Sequence, residues 1–151
     1  MPERETIDTA LKDKREGKSA STQASEFIRE EIHHIRDGEH GARSTKQAIA
    51  IGLSEARRAG VKLPPPKKGE YSDEVREKAE NDIEAGKHPH APSARRSAAS
   101  TKVLRREGKN AASHAALSRQ AKSAADKRTA AEKSASAKRG EQTRKLNLKQ
   151  G

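Results

Sequence analysis

The residues whose types could do chemistry fall into two sets, histidines and cations. His33, His34, His40, His88 and His90 include an adjacent pair and a His-x-His, and local spacing of this kind is what zinc ligands use. The surroundings argue the other way. There is no cysteine and no His-Glu-x-x-His, and His33 and His34 point to different sides of one helix. His88 and His90 lie in a Pro-rich linker. They read as surface or loop histidines, and neither a metal nor a cofactor is expected. Enzymatic motifs are missing as well: no phosphate-binding P-loop, no Gly-x-Ser-x-Gly and no dinucleotide fingerprint. A pocket that excludes water needs apolar walls, and 18 Val, Leu, Ile and Phe residues scattered over 151 positions supply few. No catalytic residue is assigned, and the chain is read as not an enzyme.

The cations carry more information. Formal net charge is +11, but residues 1–90 hold 17 Lys/Arg against 18 Asp/Glu. Residues 91–151 hold 16 against four. The whole surplus therefore sits in the last 61 residues, the pattern of a field built for a polyanion. Arg95, Arg96, Lys102, Arg105, Arg106, Lys109, Arg119, Lys122, Lys127 and Arg128 recur every turn or two, separated by Ala and Ser. These ten are the expected phosphate contacts, with Arg57 and Arg58 secondary. Phosphate neutralisation releases condensed counterions and needs no base reading. The block contains no aromatic residue, which weakens single-strand stacking and ring-based RNA reading. Duplex DNA is thus favoured over RNA.

The elements that must position these cations are helical. Val, Leu, Ile and Phe make up 12% of the chain, too little for a large core. No apolar run approaches the ~20 residues of a bilayer span. The acidic, mixed start Met1-Pro2-Glu3-Arg4-Glu5 is not a signal peptide. A cytoplasmic protein, at the nucleoid and without a membrane partner, is expected.

A short charged helix is predicted over 2–16, with Pro2 first and Gly17 as the stop. Half of the large apolar residues fall between Ser21 and Leu63. There the spacing predicts one helix from Thr22 to Asp37, with Ile28, Ile32 and Ile35 on one stripe and Gly38 ending it. A second begins at Ser44, capped with Gln47 three residues on, and carries Ile49, Leu53 and Ala56. Gly60 and Pro64-Pro65-Pro66 close it. Residues 21–63 therefore read as an αα-hairpin, small enough that a partner, a third helix or self-association through it is expected. A third helix, 72–86, shows Val75, Ala79 and Ile83 and ends at Gly86. Residues 87–92 form a Pro/His linker. The arm 93–151 reads as helical or disordered, with helix at 93–107, costly nucleation over 110–139 and fraying from Gly140. The class is all-α: a helical hairpin or three-helix cluster with a long basic arm.

Two likenesses bear on function. Ala48 and Gly52 have the spacing of a helix-turn-helix with Leu53-Ser54 following, but Arg58 stands where an apolar residue should pack. One continuous helix is the better reading. Residues 19–69, SASTQASEFIREEIHHIRDGEHGARSTKQAIAIGLSEARRAGVKLPPPKKG, resemble a family of short basic bacterial proteins of uncharacterised function, some generically labelled DNA-binding. STKQAIAIGLSEARRAG is the most specific part of the likeness. The resemblance implies a bacterial source and a DNA role, and carries over no site residues. Two alternatives stand beside DNA binding: a hydrophilic stress or desiccation protectant without a fixed partner, and an RNA or ribosome accessory protein.

Overall fold

A computed structural model describes residues 2–88 and 93–150. The chain is all-helical, with no β-strand among the described residues. The helices are α1 (Arg4–Arg15), α2 (Ala20–Asp37), α3 (Thr45–Arg58), α4 (Asp73–Lys87), α5 (Ala94–Arg105), α6 (His114–Asp126) and α7 (Ala130–Gln150), with a 3-10 turn at Asn110–Ala112. Two compact units are present, residues 1–117 and 118–151.

Local chemistry sets the ends of the helices. Ser19 accepts from Thr22 N and starts α2 two residues earlier than predicted, while Gly38 ends it at φ +83°. Only glycine adopts that conformation without a Cβ penalty. Ser44 caps α3 through Gln47 N, and the Gln47 amide oxygen accepts from Arg43 N at 2.7 Å. Ser72 caps α4 through Val75 N.

Within unit 1, α2 packs on both α1 and α3, and α4 packs on α3. Two small clusters line α2, one along its N-terminal half and one along its C-terminal half. Phe27, Ala24, Ala10, Ala56 and Val61 form one, flanked by Ile7, Leu53 and Leu63. Ile32, Ile35, Ala42, Ala48, Ala111 and Ala112 form the other, flanked by Ile28 and Leu117. Among the described residues Phe27 and Ile35 are the largest side chains fully buried, and alanine does most of the filling. Small side chains bring the helix axes close, and this reorders the predicted stripe of α3. Ala48, Gly52 and Ala56 are buried, while Ile49, Ile51 and Leu53 are only partly so. A Cβ on Gly52 would lie 2.7 Å from Ile28 Cα, so the glycine sits where α3 crosses α2. That contact explains the glycine without a helix-turn-helix: α3 is continuous through it.

Three further expectations change. Gly86 is the last residue but one of α4, which runs on to Lys87, and it stands where a Cβ would collide with Arg57 O. The disordered alternative for the arm is replaced by helix. Thr129 and Glu132 form a capping box, with Thr129 N donating to the Glu132 carboxylate and Glu132 N to Thr129 Oγ1. From it α7 runs past Gly140 to Gln150 without the predicted fraying. The packing also extends past the change in composition. Gly41 N donates to Leu104 O at 2.8 Å, Ala42 N to Gly108 O at 3.2 Å, and Thr45 Oγ1 to Ala111 O at 2.7 Å. Residues 104–117 thus complete the core of unit 1, although composition assigned them to the arm. With α1, α4 and this segment covering the hairpin, none of the exposed large apolar residues (Leu11, Tyr71, Val75, Val103, Leu146 and Leu148) lies within 21–63. Of the predicted Pro/His linker, residues 89–92 lie outside the described residues.

Candidate nucleic-acid interface

On α5, Arg95, Arg96, Lys102 and Arg105 are exposed, as is Arg106 just beyond it, and no residue of the helix is buried. At about 100° per residue, Arg95, Lys102, Arg105 and Arg106 fall within an arc of about 100°, and only Arg96 stands apart. They span about 16 Å of helix, a length over which a duplex presents about ten phosphates. Ala94, Ser97, Ala98 and Thr101 line a shallow groove beside Lys102, Arg105 and Arg106. The small side chains leave the cations as the outermost groups on that flank. Lys109 is exposed, and its Nζ rests 3.4 Å from Arg36 O at the end of α2.

Arg119 and Lys122 are exposed one turn apart on α6. Lys127 and Arg128 lie in the connection to α7, where Arg128 is committed locally: it donates to Glu132 O at 2.9 Å and to Ser136 Oγ. Residues 118–151 hold ten Lys/Arg against three acids. The cations of α7 point round the helix rather than along one stripe, and no side chain of α7 is buried.

The secondary pair does not share this availability. Arg57 is 8% exposed and donates to Leu63 O and Pro64 O, pinning the Pro-rich exit from α3. Withdrawing it for a phosphate would strip two carbonyls of their donor. Arg58 Nε donates to Asp82 Oδ1 at 2.7 Å. Asp82 is 2% exposed and also accepts from Ser54 Oγ at 2.7 Å. This carboxylate ties α4 to α3, and the sequence reading missed it. The signal was an acid one residue off the predicted Ala79–Ile83 stripe.

The histidines divide. His33 is exposed, as is His88. His34 and His40, expected at the surface, have side chains only 15% and 14% exposed. They converge on Glu31, which is 3% exposed: its Oε1 is 3.6 Å from His34 Nδ1 and its Oε2 is 3.2 Å from His40 Nε2. Beyond His34 Nε2 stand Glu3 Oε1 at 3.4 Å, Glu30 Oε1 at 3.7 Å and Glu39 Oε2 at 3.8 Å. Glu30 Oε1 also accepts from Glu3 N at 2.6 Å. Glu55, from α3, adds a carboxyl that burial and then Glu31 push up to about 7. Burial likewise raises Glu31, against the opposing pull of His40 and His34. Burial draws His34 down, but Glu3, Glu39, Glu30 and Glu31 outweigh it and the net direction is up. Glu31 and His34 stand three apart on α2, a spacing that puts both on one face. That pairing was the available signal. It was hidden by reading the histidines against each other instead of against the acids.

Among the described residues no helix is long and apolar enough to cross a membrane. Residues 13–68, 56 of the chain's 151, match the model of a family described as a family of unknown function (DUF6496). The match covers α2, α3 and the Pro-rich exit and stops before the cationic helices. No curated protein and no solved structure matches the chain.

Proposed function

We propose that the protein is a non-enzymatic, nucleoid-associated type of nucleic-acid binder that grips duplex DNA without base specificity through phosphate contacts. The observation that carries this reading is the set of exposed cations from Arg95 to Lys127. Among the described residues, Arg95, Arg96, Lys102, Arg105, Arg106, Arg119, Lys122 and Lys127 have no ion-pair partner. Unneutralised positive charge on helices that bury almost nothing has its natural partner in a polyanion. The division of labour follows: the hairpin supplies the folded body, and the helices from α5 onward supply the charge. Arg57 and Arg58 act inside that body and make no phosphate contact in this scheme.

The test is a gel-shift titration of the full chain with duplex DNA and with structured RNA, repeated for the variant with Arg95, Arg96, Arg105 and Arg106 changed to alanine. A control variant changes Lys12, Lys14 and Arg15 of α1 to alanine. The quadruple variant should bind at least tenfold more weakly, with the α1 variant close to the parent. Absence of any shift near physiological salt would favour the protectant alternative. Preference for structured RNA would favour the RNA accessory alternative, and equal losses in the two variants would overturn the assignment of residues.

A further inference from the structure

We propose that Glu31, His34 and His40 bind a divalent first-row transition ion, with zinc the best geometric match. One donor atom from each residue lies within 4.8 Å of the others. Tetrahedral zinc with bonds of about 2.0–2.2 Å sets neighbouring donors about 3.3–3.6 Å apart. Here Glu31 Oε2 lies 3.2 Å from His40 Nε2 and Glu31 Oε1 lies 3.6 Å from His34 Nδ1, so the two oxygens of one carboxylate each face one imidazole across the space an ion would take.

Behind each ring stands an acceptor that favours the tautomer a ligand needs. His40 Nδ1 lies 2.9 Å from Gly41 O. A ring nitrogen facing a carbonyl carries the proton, which leaves the Nε2 lone pair aimed at Glu31. His34 Nε2 faces Glu3 Oε1, and donating to it frees Nδ1 on the Glu31 side. Backbone carbonyls and carboxylates behind the imidazoles are the usual supports of metal-binding histidines. The independent sign of a missing partner lies in the carboxylates. Glu31 Oε2 and Glu30 Oε2 are buried without a hydrogen bond, in side chains 4% and 5% exposed. In a neutral His40, the lone pair of Nε2 faces the equally electron-rich Glu31 Oε2, an arrangement that a cation between them stabilises. Five carboxyls (Glu3, Glu30, Glu31, Glu39 and Glu55) surround two imidazoles, so the cluster has acid to spare. Two imidazoles favour a transition ion over Mg2+ or Ca2+, which prefer all-oxygen shells. The three protein donors leave a fourth position for water. The site joins α2 to the loop whose Gly41 and Ala42 hold the 104–108 segment, so occupancy would lock that segment onto the hairpin.

The full chain, stripped with chelator, is titrated with Co2+ alone. One ion per chain should bind with the visible bands of tetrahedral Co2+, bleach on addition of Zn2+, and raise the melting temperature by several degrees. With Zn2+, the ring 15N resonances of His34 Nδ1 and His40 Nε2 should move while those of His33 and His114 hold. His34→Gln with His40→Gln should weaken binding at least 100-fold, and His33→Gln should leave it unchanged. Absence of stoichiometric binding overturns the proposal, as does binding that survives the double substitution or resonance shifts confined to the other histidines. The resonance measurement is made on the unsubstituted chain, so it decides the matter even if the double variant does not fold.

Discussion

Glu55→Gln should change stability in a pH-dependent way whose sign is fixed by its surroundings. The carboxyl titrates near 4.5 when unfolded and is pushed up to about 7 in the fold, first by burial and then by the charge of Glu31. Between those values the folded chain holds a proton that the unfolded chain has released. Stability from this group therefore falls as pH rises from 4.5 to about 7, and levels off above. At 1.36 kcal/mol per pH unit the loss has a ceiling of about 3 kcal/mol. Glu55 is only partly buried, so solvent screening reduces the effect to about 1–2 kcal/mol. Glutamine is neutral throughout and close in shape. In chelator-containing buffer, urea melts of parent and variant should coincide near pH 5 and separate by pH 8, with the variant more stable. Equal stability at pH 8, or a deficit in the variant there, would refute the assignment of a strained carboxyl at this position.

Three other outcomes follow from packing and pairing. Gly52→Ala gains about 1 kcal/mol of helix propensity but drives a methyl against the Ile28 backbone, at 2.7 and 2.9 Å. Overpacking of this kind costs about 1–3 kcal/mol, so the melting temperature should fall; a rise would contradict the close crossing of α2 and α3. Gly140→Ala, with nothing within 4 Å of the new methyl, should instead increase helix content by circular dichroism. Asp82→Ala removes two hydrogen bonds of 2.7 Å and should cost about 2–3 kcal/mol in denaturant melts. Combined with Arg58→Ala it should cost less than the sum of the single changes, and strict additivity would rule out the pairing.

Much of the architecture was legible because it is written in local chemistry. Ser44 and Ser72 cap helices, and Gly38 and Gly60 take the left-handed conformation beyond α2 and α3. Ile32 and Ile35 fell on the correct face of α2. What the sequence hid was tertiary. Gly52 and Gly86 look like helix breakers until a neighbouring backbone is found where the Cβ would be. Ala111 and Ala112 are held in the core as their own backbone carbonyls accept from Thr45 and Arg36, which no hydrophobic count can foresee. Capping by Thr129 with Glu132 was readable in advance as a Thr-x-x-Glu spacing. The candidate sites split along the same line. Exposed cations in an Ala/Ser background are a property of composition, and they stayed exposed in the fold. The hold of Arg57 on the Pro-rich exit, the pairing of exposed Arg58 with buried Asp82, and the meeting of Glu31, His34 and His40 depend on contacts between elements.

The account rests on exposed cations neutralising phosphate, and the salt dependence of binding tests that most directly. With the full chain and a duplex, affinity is measured from low to physiological salt. If six phosphates are engaged, log K should fall against log salt with a slope of about −5. An affinity indifferent to salt, or no binding at the low-salt end, would contradict it.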